Sequence, residues 1–242
     1  MLALVFATAR ECSAALPQLH PVPEQGGWLR SAVCGRDAFV LVTGLSPINA
    51  GLHLGRLVAS QSGIDGVLNL GVAGTLDDAA LPLGAVCAAN AELWPEYGLN
   101  GPNGTDPQGI GFALHDGPAG RVFDRIDLDP AHAARAMGLT LPAHWARAGM
   151  LTVSGVTGTP QRLSILRERY PDARTEGMEG FALALACAQL GLPFLEIRTV
   201  SNRVGSRAAE DWNLPQALER LAEVATTLLG GASPAGTDEP IP

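Results

Sequence analysis

The 242-residue sequence has no apolar run long enough to span a bilayer, so a membrane-spanning role is not expected. It has no stripe of basic residues. Sixteen basic against 24 acidic side chains leave a net charge of −8, which disfavours nucleic-acid binding. Cysteine is scarce. Cys12, Cys34, Cys87 and Cys187 show no C-x-x-C spacing and read as reduced thiols of a cytoplasmic protein. Several chemical signatures are missing as well: a Walker A loop, G-x-G-x-x-G, the G-x-S-x-G elbow and H-E-x-x-H. The histidines lack metal-ligand spacing. Asp124, Asp127 and Asp129 lack the glycine and glutamate of an EF-hand and read as a solvated acidic turn. No internal repeat is present. Neither a metal nor an organic cofactor is expected.

Apolar residues, at 47%, suffice for a full core, and the length allows one large α/β domain or two small ones. Residues 1–9 faintly resemble a signal peptide but lack a basic start, and a first core strand over 2–7 explains them better. Thr8-Ala9-Arg10-Glu11 is a capping box opening a short helix. Residues 20–37 read as irregular. A strand over 38–43 and a helix from Pro47 to about Gln61 follow, with Gly51 and Gly55 expected to bring that helix close to the sheet. A strand over 67–70 runs into Gly71-Val72-Ala73-Gly74, a glycine-rich end where backbone can approach a ligand. A strand over 84–93 precedes residues 95–125, a long Pro/Gly-rich connection. The pattern then predicts a short helix over 130–137, a strand over 149–153 and a helix from Pro160 to about Tyr170. A helix over 181–190, apolar on nearly every face, reads as buried. A strand over 194–200 and a final amphipathic helix over 214–229 complete the domain (residues 1–229). Residues 230–242 have the composition of a disordered tail.

Polar residues in costly places mark the candidate site. Glu179 stands at the start of the apolar helix, Arg198 in the apolar strand after it, and Asn202 just beyond. Each has a structural reading: a first-turn acid, a core ion pair with Glu179 or Glu196, and a strand-ending turn. Glu11 could simply close its capping box. Together, at a helix start and at strand ends, they suit ligand binding at the edge of an α/β sheet. Without a cofactor, the set suits general-base attack of water on a substrate with a carbocation-like transition state.

Four segments in order resemble the nucleoside phosphorylase and nucleosidase superfamily. They are residues 5–11 (VFATARE), 69–74 (NLGVAG), Met178-Glu179 and 198–202 (RTVSN). Within it, residues 201–207 (SNRVGSR) with Trp212, and 153–159 (VSGVTGT), are most similar to the futalosine hydrolases. The resemblance implies a single-domain three-layer α/β/α fold on a twisted mixed sheet and a homo-oligomer, dimer or larger. It implies a small-molecule nucleoside substrate, with hydrolysis of futalosine to hypoxanthine and dehypoxanthine futalosine in menaquinone biosynthesis. By position, Glu11 would activate water and Arg198 would hold it. Glu179 would accept from the ribose hydroxyls, with Met178 against the sugar. Asn202 would contact the base where adenine-specific enzymes carry Asp. Trp212 would close the pocket, and Gly71, Val72 and Thr159 would line it. Val72 stands where adenine enzymes often carry Ser, so its side chain has no polar role. The N-terminal region shows no Arg-rich phosphate loop, which favours water over phosphate. The alternatives are a methylthioadenosine/S-adenosylhomocysteine nucleosidase, a purine nucleoside phosphorylase, or a nucleoside-binding protein without activity.

Overall fold

The computed structural model describes residues 1–102, 104–118 and 120–230. From the expected tail, only Gly230 falls among them; 231–242 lie outside the described residues. In chain order the elements are β1 Leu2–Phe6, α1 Ala9–Ala15, β2 Trp28–Val33, β3 Arg36–Val42, α2 Pro47–Ser60, β4 Gly66–Thr75 and β5 Val86–Leu93. There follow β6 Leu99–Gly101, β7 Gly104–Asp106, β8 His115–Gly117, β9 Gly120–Val122, β10 Arg125–Asp127 and α3 Pro130–Ala136. The chain continues through β11 Ala146–Thr152, α4 Pro160–Arg169, β12 Ala173–Gly177, α5 Gly180–Leu190, β13 Phe194–Arg203 and α6 Leu214–Leu229.

The main sheet is mixed and nine-stranded, in the order β10-β5-β11-β12-β4-β1-β3-β2, with β13 pairing both β4 and β5. Those last two pairings close β4, β12, β11, β5 and β13 into a hydrogen-bonded ring, while β1, β3 and β2 extend from it as an open wing. The layered α/β architecture on a mixed sheet that the resemblance implied is present. One apolar cluster joins the sheet to α1, α3 and α6, and another joins it to α2 and α5.

Several expectations need correction. Residues 28–33 are a strand, antiparallel to β3 through the turn Cys34-Gly35, where φ is 49° and 77°. Two successive positive φ values suit a tight hairpin, and a Cys at the first of them hides that signal. The 95–125 connection carries two short hairpins and leads into β10 rather than being structureless. Strand β12 has no apolar alternation and escaped the pattern altogether. Helix α5 is buried as expected over its first two turns, with Phe181, Leu183, Ala184 and Cys187 in the core and Ala182, Leu185 and Ala186 packed against it, and only its last three residues, Ala188 to Leu190, emerge to the surface. Gly51 and Gly55 do not bring α2 to the sheet. Ala50, Leu54 and Leu57 form its buried face. A Cβ on Gly51 would touch only Ala182 of α5 at 3.9 Å, and one on Gly55 would meet nothing. Asp124 is half-buried and accepts from the Tyr170 hydroxyl at 2.9 Å, and Asp129 caps α3, so the acidic turn is only partly solvated.

Candidate active site

Strands β1, β4 and β13 run parallel and side by side, so the residues at their C-terminal ends meet. Glu11 lies in the first turn of α1, immediately after β1. The capping box forms: Thr8 Oγ1 accepts from the Glu11 N–H at 3.2 Å, and Glu11 Oε2 accepts from the Thr8 N–H at 2.9 Å and hydroxyl at 2.7 Å. Capping occupies only one carboxylate oxygen. Glu11 Oε1 turns to β4 and accepts from the Val72 N–H at 2.9 Å. Val72 therefore contributes backbone to the site.

Arg198 is directly beside Gly71 in the register of β13 with β4. It is 1% exposed, an expensive position for a guanidinium. Its Nε donates to Glu196 Oε1 at 2.6 Å and its Nη2 to Glu179 Oε2 at 3.4 Å. Burial opposes its charge, but Glu196, Glu179 and Glu11 together hold its pKa above the ordinary arginine value. Its Nη1 is buried and without a protein partner. That nitrogen and Glu11 Oε1 converge on Gly71: a Cβ built there would collide with Arg198 Nη1 and stand 2.7 Å from Glu11 Oε1. A donor and an acceptor thus face one spot over a glycine, where the sheet leaves room.

Glu179 is the N-cap residue of α5, yet its side chain makes no cap hydrogen bond. It turns instead to Arg198 and to the N–H of Ser46, which donates to Oε1 at 3.3 Å. Ser46 adopts φ 100°, a strained conformation for a non-glycine residue and one no sequence pattern reveals. Burial raises the Glu179 carboxyl from 4.5 to about 7, against the pull of Arg198 and with the help of Glu11. Met178 precedes it, half-buried.

Asn202 lies within β13, not beyond it, opposite Gly74 after a bulge at Val200/Asn202. Its Oδ1 accepts from Ser201 Oγ at 2.9 Å, and its Nδ2 donates weakly to Arg203 O at 3.3 Å. Trp212 is bridged to it by backbone pairing, 37% exposed, with Arg207 stacked 5.0 Å from the ring centre. Thr159 is exposed, and its hydroxyl caps α4 by accepting from the Arg162 N–H. The structure therefore gathers Glu11, Gly71, Val72, Glu179 and Arg198 into one cluster, with Asn202 further along β13 and Trp212, beyond the strand, bridged to it. Thr159 stands apart, on the surface near Gly205.

Sequence reasoning missed Ser46, Glu92 and Glu176. Glu92 and Glu176 are buried, and burial pushes both carboxyls up. Glu92 had a visible signal, a lone acid in the apolar run Ala91-Glu92-Leu93. A cleft of about 640 Å³ opens near the other end of α5 around His132, Cys187 and Phe194. It shares no residue with the cluster, so volume is a poor guide to the chemistry here. Among the described residues no group of three or more His, Cys, Asp or Glu could hold a metal ion, and no helix is long and apolar enough to cross a membrane.

A family model described as the phosphorylase superfamily matches residues 7–230. The chain is 33% identical to the futalosine hydrolase of Thermus thermophilus over 82% of its own length and 85% of that protein. It is 38% identical to the futalosine hydrolase of Streptomyces coelicolor over 66% of its own length, spanning 63% of that relative. Among solved structures, the 5′-methylthioadenosine/S-adenosylhomocysteine nucleosidase of S. pneumoniae superposes with a TM-score of 0.72 at 18% identity, covering 95% of this chain and 98% of that one. The futalosine hydrolase of Helicobacter pylori gives 0.69 at 15% identity, covering 93% and 95%. At such identities the structural likeness is one of fold. The family match over nearly the whole chain, with one-third identity to a relative covered over most of its length, shows that this chain belongs to the phosphorylase superfamily and, within it, to the futalosine hydrolases.

Proposed function

We propose that this chain is an N-ribosyl hydrolase that splits futalosine into hypoxanthine and dehypoxanthine futalosine, a step of menaquinone biosynthesis, in the cytoplasm and as a homo-oligomer. The observation that carries the reading is the convergence of Glu11 Oε1 and the unpartnered Arg198 Nη1 over Gly71. A water held there would accept from the guanidinium and give its proton to Glu11 as it attacks the anomeric carbon. Three donors already orient Glu11, but a carboxylate has about four lone-pair sites, so it can accept one more. Glu179 accepts from the ribose hydroxyls, a contact that tightens as the sugar flattens toward an oxocarbenium ion. Asn202 donates from its amide to the O6/N7 edge of the departing oxopurine, where negative charge builds. Met178, Val72 and Trp212 shape the walls. Buried Cys12, Cys87 and Cys187, all free, suit a reducing compartment, and exposed Leu45, Ile48 and Leu52 beside the site suit a covering subunit.

The test is incubation with futalosine, inosine and methylthioadenosine, with and without phosphate, scored by the free base released. Phosphate-independent release of hypoxanthine from futalosine is expected. A strict phosphate requirement, or preference for methylthioadenosine, would replace this reading with a phosphorylase or an adenine nucleosidase. Tight nucleoside binding with no base release would identify a binding protein.

A further inference from the structure

Behind the cluster stand two carboxyl groups that the proposed reaction does not use. Glu92 on β5 and Glu196 on β13 are both buried. Glu196 Oε1 is the partner of Arg198 Nε. Glu92 Oε2 accepts from the Thr152 hydroxyl at 2.7 Å, and Thr152 Oγ1 accepts from the Phe181 N–H of α5 at 2.8 Å. The remaining oxygens, Glu92 Oε1 and Glu196 Oε2, are buried and without partners. They converge: a Cβ on Gly180 would collide with Glu196 Oε2 and lie 2.5 Å from Glu92 Oε1. Two bare carboxylate oxygens this close in a dry interior repel each other unless a proton lies between them.

The surrounding charges supply no alternative. From β13 come Arg198 and Glu196 itself, from the start of α5 Glu179, and from α1 Glu11. Strand β11 offers only the Thr152 hydroxyl, and the residue opposite Glu92 on β10 is Ile126. Arg198 already pairs with Glu196 and Glu179, and no cation forms an ion pair with Glu92 among the described residues. Burial and then the Glu196 charge push the Glu92 carboxyl well above its ordinary range.

We propose that Glu92 is a positioning residue: it donates its carboxyl hydrogen to Glu196 Oε2, and the pair, with one proton and one negative charge, clamps Arg198 so that Nη1 stays aimed over Gly71. What Nη1 does there rests on the hydrolase reading; the shared proton does not. Gly180 is part of the device, because any side chain would enter the space the two oxygens share.

Glu92→Gln keeps a hydrogen-bond donor toward Glu196, and Glu92→Leu keeps most of the volume without one. With futalosine, Glu92→Gln should stay close to wild type. Glu92→Leu should lose kcat by up to about a hundred-fold, the scale of a misplaced catalytic group, with KM little changed. The infrared difference between wild type and Glu92→Gln at neutral pH should show the C=O band of a protonated carboxylic acid. A missing band, a Glu92→Gln variant as impaired as Glu92→Leu, or full activity in Glu92→Leu would each overturn the proposal. Should Glu92→Leu fail to fold, the Glu92→Gln kinetics and the band still decide. If the wild type cleaves no nucleoside, the hydrolase reading fails while the infrared band still tests the pair.

Discussion

Glu11 serves two purposes with two oxygens, and that division makes its roles separable. Glu11→Gln retains an oxygen for the capping box but loses the basic carboxylate and the acceptor for the Val72 N–H, so turnover should fall by roughly 10²–10⁴ while stability drops only by the cost of one unpaired donor, about 1–3 kcal/mol. A collapse of stability with activity per folded molecule intact would show that Oε2 and its cap are all that matter. Glu179 sits at the opposite end of the same question. Its carboxyl is raised to about 7 by burial, so it is largely neutral in mild acid and ionises as pH rises through that value. Only the anion is a full acceptor for two ribose hydroxyls. KM for a ribonucleoside should therefore fall as pH rises through about 7, and this limb should be weak for the 2′-deoxy analogue and absent in Glu179→Gln. An identical pH profile for both substrates would remove Glu179 from the sugar. Asn202 tests base choice. Asn202→Asp exchanges a donor for lone pairs facing an oxopurine edge, a loss of roughly 1–3 kcal/mol. The variant should lose about ten- to a hundred-fold in kcat/KM for futalosine and gain relative activity on 6-aminopurine nucleosides. Unchanged base preference would place Asn202 outside the base pocket. Glu179 was legible because it is an acid at the start of an apolar helix, whereas the roles of Glu11 and Asn202 came from the resemblance. Glu92 carried the same kind of mark, a lone acid in an apolar run, but acts only through Glu196, and the importance of Ser46 lies in a backbone angle.

At the scale of elements, the glycines divide into those that hold the site open and those that do not. On β4, Gly71 lies in register with Arg198, and the missing side chain is what lets Nη1 and Glu11 Oε1 approach. Gly71→Ala forces one of them away, and Arg198 has nowhere to go, being buried and paired on two sides. Loss of kcat/KM by about a hundred-fold or more is expected. Overpacking should also cost about 1–3 kcal/mol, read as a lowered melting temperature. Gly55→Ala is the contrast: exposed, mid-helix in α2 and meeting nothing, it should stabilise by about 0.5–1 kcal/mol and leave kinetics unchanged. Reversed outcomes for the two variants would show that the cluster tolerates a Cβ. The sequence marked residues 71–74 as a backbone-approach segment for this reason, since four residues with two glycines end an otherwise apolar strand. It misled at Gly51 and Gly55, where glycine in a helix was taken for close packing although the apolar stripe Ala50, Leu54 and Leu57 already defined the buried face. Strands β2 and β12 were hidden for different reasons. One lies at the open edge with a polar face, and the other carries Arg174, Thr175 and Glu176 in place of an alternating pattern.

For the whole molecule, the periodic signal recovered most helices and the buried parallel strands, because each buries an apolar face of regular spacing. It could not reveal that β13 pairs with both β4 and β5, closing part of the sheet into a ring, because long-range pairing leaves no local mark. That closure is also why so many acids end up dry: Glu92, Glu176 and Glu179 lie on or beside ring strands, and burial raises all three. The consequence for stability has a definite sign. In the unfolded chain these carboxyls ionise near their ordinary 4.5, while in the fold Glu179 keeps its proton to about 7 and Glu92 holds its own well above the ordinary value. Between those limits the folded state binds more protons than the unfolded one, so stability falls as pH rises. Glu179 alone, raised from 4.5 to about 7, accounts for about 3 kcal/mol at most. Exposed Asp129 and half-buried Asp211 are shifted the other way, below 3.8, and so act only at lower pH. The melting temperature should therefore be higher in mild acid than in mild base, by roughly 5–10 °C for a chain of this size. Glu179→Gln and Glu92→Gln, which cannot ionise, should each flatten the slope and raise stability at the alkaline end. A melting temperature that climbs steadily from mild acid to mild base would mean that these carboxylates are charged and compensated in the fold.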